Sequence, residues 1–298
     1  MNKENHQNPT QTNINWFPGH MAKTRRKITE SLKLVDAIVE IIDARIPMSS
    51  RNPEIDSLTA GKPRIILLNK ADIADPNATA EWKKYFSDIG ASVISCDCRS
   101  GKGLNSFNSL VKAVLSDKIA AWTAKNMAGR TIKLMVVGIP NVGKSSFINR
   151  MAGSQKAKVA DKPGVTRGNQ WFSIGGGMEL LDTPGVLWPK FEDQTVGLRL
   201  AFTGAVKDVI MDAETLCLGL LEILLADYSA MLKARYGTEF SNGMPSYEAM
   251  EAIARRRGMF ISGGEIDTER VSVMIIDEYR AGKLGKITLE RPRDYISG

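Results

Sequence analysis

The sequence predicts an α/β fold: a mostly parallel sheet flanked by helices, followed by a smaller all-helical C-terminal domain. Three observations predict it. Through the first two thirds of the chain, continuous apolar runs alternate with helical stretches, the pattern of strands buried on both faces. One of those runs leads through a glycine-rich turn, Gly138 to Gly143, directly into a helix. Beyond about residue 205 the apolar spacing is helical throughout.

Residues 1–13 are polar and unpatterned, and a disordered leader is expected there. The α/β domain is expected over 14–205. Its strands are DAIVEIID (36–43), RIILLN (64–69), ASVISC (91–96) and IKLMVVG (132–138). Between them the spacing predicts helices over 77–89 and, as one long element, over 104–125. WFSI and MELLD, within 171–182, read as two strands joined by a hairpin turn at Gly175-Gly176-Gly177. The helical domain is expected over 206–298, with helices in 212–236, 246–257 and 267–281. Ser246 and Asp267 suit N-caps, and Gly237, Gly258 and Gly282 suit helix ends.

The 298 residues are 43% hydrophobic and 24% charged, which excludes wholesale disorder. Three cysteines (Cys96, Cys98, Cys217) and two histidines (His6, His20) make neither a disulfide framework nor a thiolate or imidazole metal cage. No signal peptide is recognisable and no run of about eighteen apolar residues occurs, so a soluble protein of a reducing compartment, with no membrane partner, is expected. The net charge of +7 is uneven: residues 1–206 carry 28 Lys and Arg against 18 Asp and Glu, and residues 207–298 carry 12 against 15. Attraction to a polyanion is therefore expected in the first two thirds.

Gly138 to Ser145 fits G-x-x-x-x-G-K-[ST] between a strand and a helix. In that setting the N–H groups around Asn141, Val142, Gly143 and Ser146 can face phosphate oxygens. Lys144 can reach the outer phosphates and Ser145 can offer a hydroxyl to Mg²⁺. Asp182-Thr183-Pro184-Gly185 closes the second hairpin strand, 38 residues after Lys144. Asp182 there can hold Mg²⁺ through water, and the Gly185 N–H can meet a γ-phosphate. Thr166, in the loop between, can complete the metal shell. Asn69-Lys70-Ala71-Asp72 closes RIILLN, and a carboxylate at Asp72 can accept hydrogen bonds from guanine N1 and N2, donors that adenine lacks. Asp97 and Cys98 follow the next strand, where backbone N–H groups can approach guanine O6. GTP and GDP are thus the expected ligands. The guanine pieces precede the phosphate pieces, which a parallel sheet permits because the site lies at strand ends wherever the chain is cut.

In chain order, WFPGHMAKTRRKI (16–28), DARIPMSSRNPEID (43–56), NKAD (69–72), GIPNVGKSS (138–146), KPGVTRG (162–168) and DTPGV (182–186) resemble the circularly permuted GTPases, specifically the YlqF/RbgA-like family, ribosome biogenesis GTPase A. The resemblance implies a P-loop NTPase fold with permuted motifs and hydrolysis of GTP to GDP and phosphate. It implies a switch in late assembly of the large (50S) ribosomal subunit in the bacterial cytoplasm. The implied partners are the large-subunit precursor and its rRNA, reached partly through the helical C-terminal domain, with the protein a monomer. Val186 stands where many GTPases carry a water-positioning Gln, and the resemblance places the chain in the hydrophobic-substituted class. His20 is the candidate catalytic group: by itself it reads as a capping or packing residue, and the resemblance implies a part in hydrolysis. Asn141 resembles a position that supports potassium, which could offset developing charge and, with ribosomal particles, stimulate turnover.

Lys23, Arg25, Arg26 and Lys27 beside Trp16 and Phe17 form one candidate RNA contact, and Arg255, Arg256 and Arg257 a second. Each also reads as a solvated basic helix face, or, for the second, as a complement to a helix dipole. Two other functions stay open. One is a nucleotide-dependent RNA tether with negligible catalysis. The other is a GTPase of tRNA modification or ion transport, although its motifs would run in unpermuted order.

Overall fold

The computed structural model describes residues 19–153, 170–183, 185, 193–206, 212–241 and 243–295, with side chains from residue 25 onward except that of residue 27. The expected leader, Trp16, Phe17, Thr166 and Val186 lie outside the described residues, as do the side chains of His20, Lys23 and Lys27.

Helix α1 (Gly19–Leu32) leads into β1 (Ala37–Asp43), α2 (Pro53–Leu58), β2 (Arg64–Asn69), α3 (Pro76–Asp88) and β3 (Ser92–Ser95). Next come α4 (Phe107–Val114), α5 (Ser116–Ala124), β4 (Ile132–Val137), α6 (Lys144–Ala152), β5 (Gln170–Ser173) and β6 (Met178–Asp182). Among the described residues, five α-helices follow: α7 (Gln194–Phe202), α8 (Ala213–Asp227), α9 (Ser229–Tyr236), α10 (Ser246–Arg257) and α11 (Thr268–Arg280). The six strands run in the order β3-β2-β1-β4-β6-β5, all parallel except the edge strand β5.

That order creates the site. The chain moves outward from β1 through β2 to β3, crosses back to β4 beside β1, and then moves outward the other way. The carboxyl ends of β1 and β4 therefore flank a topological switch point, the crevice where open α/β sheets bind ligands. Every residue of β1 is buried, as a central strand covered on both faces requires. On one face Val39, Ile41, Leu67, Leu134, Val136 and Leu180 meet Phe107, Val111, Phe147 and Ile148 of α4 and α6. On the other, Ile42, Ile66 and Leu68 pack on Trp82 and Phe86 of α3, and Ile38, Met135 and Leu181 on Ile28 of α1. The first of these cores continues without a break into Leu216, Leu220, Ile253, Ile275 and Tyr279 of the helical region.

Past α11, the segment 287–295 returns to the sheet. Leu289 N–H donates to Arg45 O (2.8 Å), Ile287 N–H to Ile73 O (3.1 Å) and Trp82 Nε1–H to Glu290 O (3.0 Å). The buried Glu290 carboxylate accepts from the N–H groups of Met48 (2.8 Å) and Ser49 (3.1 Å).

Three expectations are corrected. The helix over 104–125 is two, α4 and α5, broken at Leu115 (φ −104, ψ 15), which turns its side chain into the core. The segment 212–236 is also two helices, bent by 110° between α8 and α9. Ser246 is the first helical residue and not the cap, because Pro245 (ψ 143) takes the extended capping position. Asp267 does cap α11, accepting from Arg270 N–H at 3.0 Å. Among the described residues no single helix is long and apolar enough to cross a membrane.

Candidate nucleotide-binding site

The phosphate loop follows β4. Gly138 (φ +151) passes so close to β1 that a Cβ there would lie 2.5 Å from Ile41 O, and Asn141 is left-handed at φ 61. The loop ends where α6 begins, so Lys144 and Ser145 are the first two helical residues and the free N–H groups of the first turn point into the crevice. Lys144 is buried and folds back over its own loop, its Nζ donating to Gly138 O (3.0 Å) and Ile139 O (2.7 Å). Burial pushes its pKa down to about 8 against the pull of the Asp182 carboxylate.

Asp182 ends β6, in register with Val136 of β4. Its neighbour Thr183 is anchored by Oγ1–H donation to Val136 O at 2.6 Å. Gly185 then lies against the phosphate loop: a Cβ on it would sit 2.7 Å from Lys144 Nζ. The later half of the chain thus brings Lys144, Ser145, Asp182 and Gly185 to one place.

The earlier half meets the phosphate loop through the side chain of Asn69. Asn69, buried at the end of β2, donates from Nδ2 to Val142 O in the phosphate loop (2.6 Å) and accepts at Oδ1 from Cys98 N–H (2.8 Å). Gly143 has no room for a side chain because a Cβ would lie 2.2 Å from that same Nδ2. Ala71 N–H donates to Cys96 O (3.1 Å), tying the guanine loop to the end of β3. The Cys98 N–H, expected near a base oxygen, is spent on Asn69. Asp97 closes the adjoining turn by accepting from Arg99 N–H (2.8 Å) and Ser100 N–H (3.2 Å). Burial would raise its pKa, but these hydrogen bonds outweigh it and hold the carboxyl below the usual range. Asp72 is exposed at the rim, open to a base.

Beneath this rim lies a buried ion cluster that motif reading missed. Asp43, the last residue of β1, takes both forks of Arg45 (Nε 3.0 Å, Nη2 2.8 Å) and Lys70 Nζ at 2.9 Å. Burial would raise the Asp43 pKa, yet the two cations hold it well below the carboxylate range. Arg45 also lies over the Tyr279 ring of α11, 5.2 Å from its centroid. An acidic residue closing a mostly apolar strand, with Arg two positions on, was the available signal. Asn141 lies on the other side of the crevice, donating from Nδ2 to Gly204 O (2.8 Å).

The basic candidates lie elsewhere, and three of the five whose side chains are described are matched by acids. Arg25 pairs with Glu54 (3.0 Å), Arg26 with Glu30 (2.9 Å) and Arg255 with Glu251 (3.6 Å). Arg257 lies over the Tyr236 ring (5.3 Å), and Arg256 runs alongside Gly237.

A family model described as "50S ribosome-binding GTPase" matches residues 133–222, which hold β4, the phosphate loop, β6 and α7. Ribosome biogenesis GTPase A of Bacillus cereus is 46% identical over 284 residues, covering 95% of each chain. That of Bacillus pumilus is 47% identical over 280 residues, 94% of this chain and 99% of its own. The chain belongs to the ribosome biogenesis GTPase A family. Membership extends to the fold. A GDP-bound structure of TM YlqF superposes with a TM-score of 0.64 at 30% identity, covering 90% of this chain and 100% of the other. A GNP-bound YlqF from T. maritima gives 0.62 at 30% identity, covering 91% and 98%. The guanine pieces, first along this chain, and the phosphate pieces, later along it, meet at the sheet's switch point.

Proposed function

We propose that the protein closes the loops after β2, β3, β4 and β6 around GTP, hydrolyses it to GDP and phosphate, and uses that cycle as a switch in late assembly of the large (50S) ribosomal subunit. Family membership makes it a GTPase of ribosome assembly. The observation that carries the nucleotide reading is the Asn69 amide, which joins guanine loop and phosphate loop in one crevice.

The geometry supports the following roles. Asp72 reads guanine N1 and N2, flanked by Asn69, Lys70, Ala71, Asp97 and Cys98. Lys144, whose pKa burial lowers to about 8, is held in its charged form when phosphates replace the carbonyls it now touches. N–H groups of Asn141, Val142, Gly143, Ser146 and Gly185 complete the phosphate cradle. Ser145, in the first turn of α6, and Asp182, at the end of β6, are hard oxygen donors, the set Mg²⁺ takes when substrate phosphates supply its remaining ligands. Thr166 is assigned as a further donor. Bound Mg²⁺ neutralises charge on the β- and γ-phosphates. With the Asn141 amide nitrogen on Gly204, its oxygen is the group left to face potassium. His20 is assigned to water positioning. The boundary near 205/206 separates the GTPase domain from a helical domain that contacts the ribosome, and the protein acts as a cytoplasmic monomer on the large-subunit precursor and its rRNA.

The test is nucleotide selectivity with turnover. Asp72→Asn should weaken GTP binding at least tenfold and shift preference toward xanthine nucleotides, which present an acceptor where guanine has its N2 donor. Unchanged selectivity rejects the base assignment. In the same assay His20→Ala should lower phosphate release with large subunits present while GTP affinity stays within about twofold. Absence of subunit-stimulated release in the parent protein would favour the tether.

A further inference from the structure

The 55 residues from Arg99 to Gly153 hold nine Lys and Arg against one acid, Asp117, more net charge than the whole chain's +7. Lys144 belongs to the phosphate loop. Among the described residues, only one of the other eight meets a carboxylate: Lys118, on Asp36 at 2.6 Å. Elsewhere, three of the five candidate RNA-binding arginines, Arg25, Arg26 and Arg255, each meet a glutamate, while among the described residues Arg256 and Arg257 do not. Among the described residues, the densest run of unmatched charge therefore lies on a face other than the ones the sequence suggested.

Much of this charge is held in place by aromatic rings. Lys118 Nζ and the Arg130 guanidinium both lie over Trp122, 5.6 and 4.8 Å from its centroid, and Lys133 Nζ lies 5.0 Å over Trp171. A carboxylate orients a cation but cancels it. A ring orients it for about 0.5–1 kcal/mol at an exposed site and leaves the charge intact. Asp36 links the two groups, since its other oxygen accepts the Lys133 N–H at 2.9 Å. Lys112 on α4, and Lys125 and Arg130 beyond α5, are exposed. Among the described residues, the large exposed apolar side chains at this face are Met127 and Trp171, and Trp171 is covered by Lys133, so the face is dominated by cations and not by the apolar centre of a protein interface.

We propose that the face formed by α4, α5, the 125–131 turn and the start of β4 binds an RNA backbone, with Lys112, Lys125, Arg130 and Lys133 meeting its phosphates. The choice of RNA rests on the ribosomal reading above; the choice of face rests on the uncancelled charge.

The experiment compares the full-length parent with Lys112→Ala/Lys125→Ala/Arg130→Ala, three exposed changes outside the nucleotide site. Binding to a 20-base-pair RNA duplex and to purified large ribosomal subunits is measured across a salt series. Arg25→Ala/Arg26→Ala is the comparison variant, and GDP affinity checks the fold. The triple variant should lose at least tenfold in affinity at about 0.1 M salt. Its slope of log affinity against log salt should be shallower by about two to three, one lost counterion-releasing contact per residue. The arginine pair should change less. Parent-like affinity and slope in the triple variant overturn the proposal, as does a parent that binds neither probe. Loss on subunits with full affinity for the duplex overturns it too, since the partner would then be a ribosomal protein. Failure of the GTPase reading shows separately, as absent subunit-stimulated phosphate release.

Discussion

Lys144 is held over carbonyl oxygens at the floor of the phosphate loop, and burial brings its pKa down to about 8 from a usual value of about 10.4. The sign of the linkage follows. Between about pH 8 and 10.4 the unfolded chain still holds this proton while the nucleotide-free fold has released it, so raising pH through that window stabilises the fold. Bound phosphates demand the opposite, a charged ammonium. Affinity for GDP should therefore fall as pH rises from 7 to 9, approaching tenfold per unit above 8. Fluorescent-GDP titrations across that range test it, with Lys144→Met expected to bind weakly and without this dependence. A pH-independent parent would show that the lysine does not lose its proton on nucleotide release. Asn69 and Lys144 were both legible as motif residues, but their partners were not. Nothing in the order of letters tells that Asn69 reaches Val142, 73 positions on, because that contact exists only once β2 and β4 share a sheet.

Among elements, the four parallel strands and the hairpin were legible to within a residue or two, since burial on both faces leaves unbroken apolar runs. Helix breaks were not. Phe107, Val111 and Leu115 keep helical spacing up to the break, so periodicity carries no mark of it. The bend between α8 and α9 has its cause far away in sequence. Tyr228, at the corner, donates its hydroxyl to Thr288 O (2.7 Å) and accepts the Thr288 N–H (3.2 Å), satisfying both backbone groups of the returning segment. Tyr228→Phe keeps the ring but strands a buried N–H and a carbonyl. That should cost about 1–3 kcal/mol, read as a lower urea midpoint with an unchanged m-value. A midpoint equal to the parent's would mean that water or another group satisfies Thr288.

At the scale of the whole molecule, sequence reading divided the chain near residue 205, but it could not show how much holds the two parts together. Arg45 joins Asp43 at the nucleotide rim to Tyr279 of α11, and Arg280 donates to Phe202 O (3.1 Å) and Ala201 O (2.8 Å). The segment 287–295 closes over the loops that follow β1 and β2, with Arg291 on Asp75 at 2.6 Å. A core continuous from Ile41 to Tyr279 should melt as one unit, because neither side retains its buried surface without the other. The chain offers a clean readout, since all five tryptophans precede residue 206 while much of the helix follows it. Tryptophan fluorescence and far-ultraviolet circular dichroism should give coincident urea transitions, and saturating GDP should raise both midpoints equally. Glu290→Ala removes the carboxylate that holds Met48 and Ser49, so it should lower both midpoints or split them. Two separate transitions in the parent, with GDP moving only the fluorescence one, would mean that the helical region folds on its own. The contacts at Arg45 and Glu290 would then be too weak to couple it to the nucleotide.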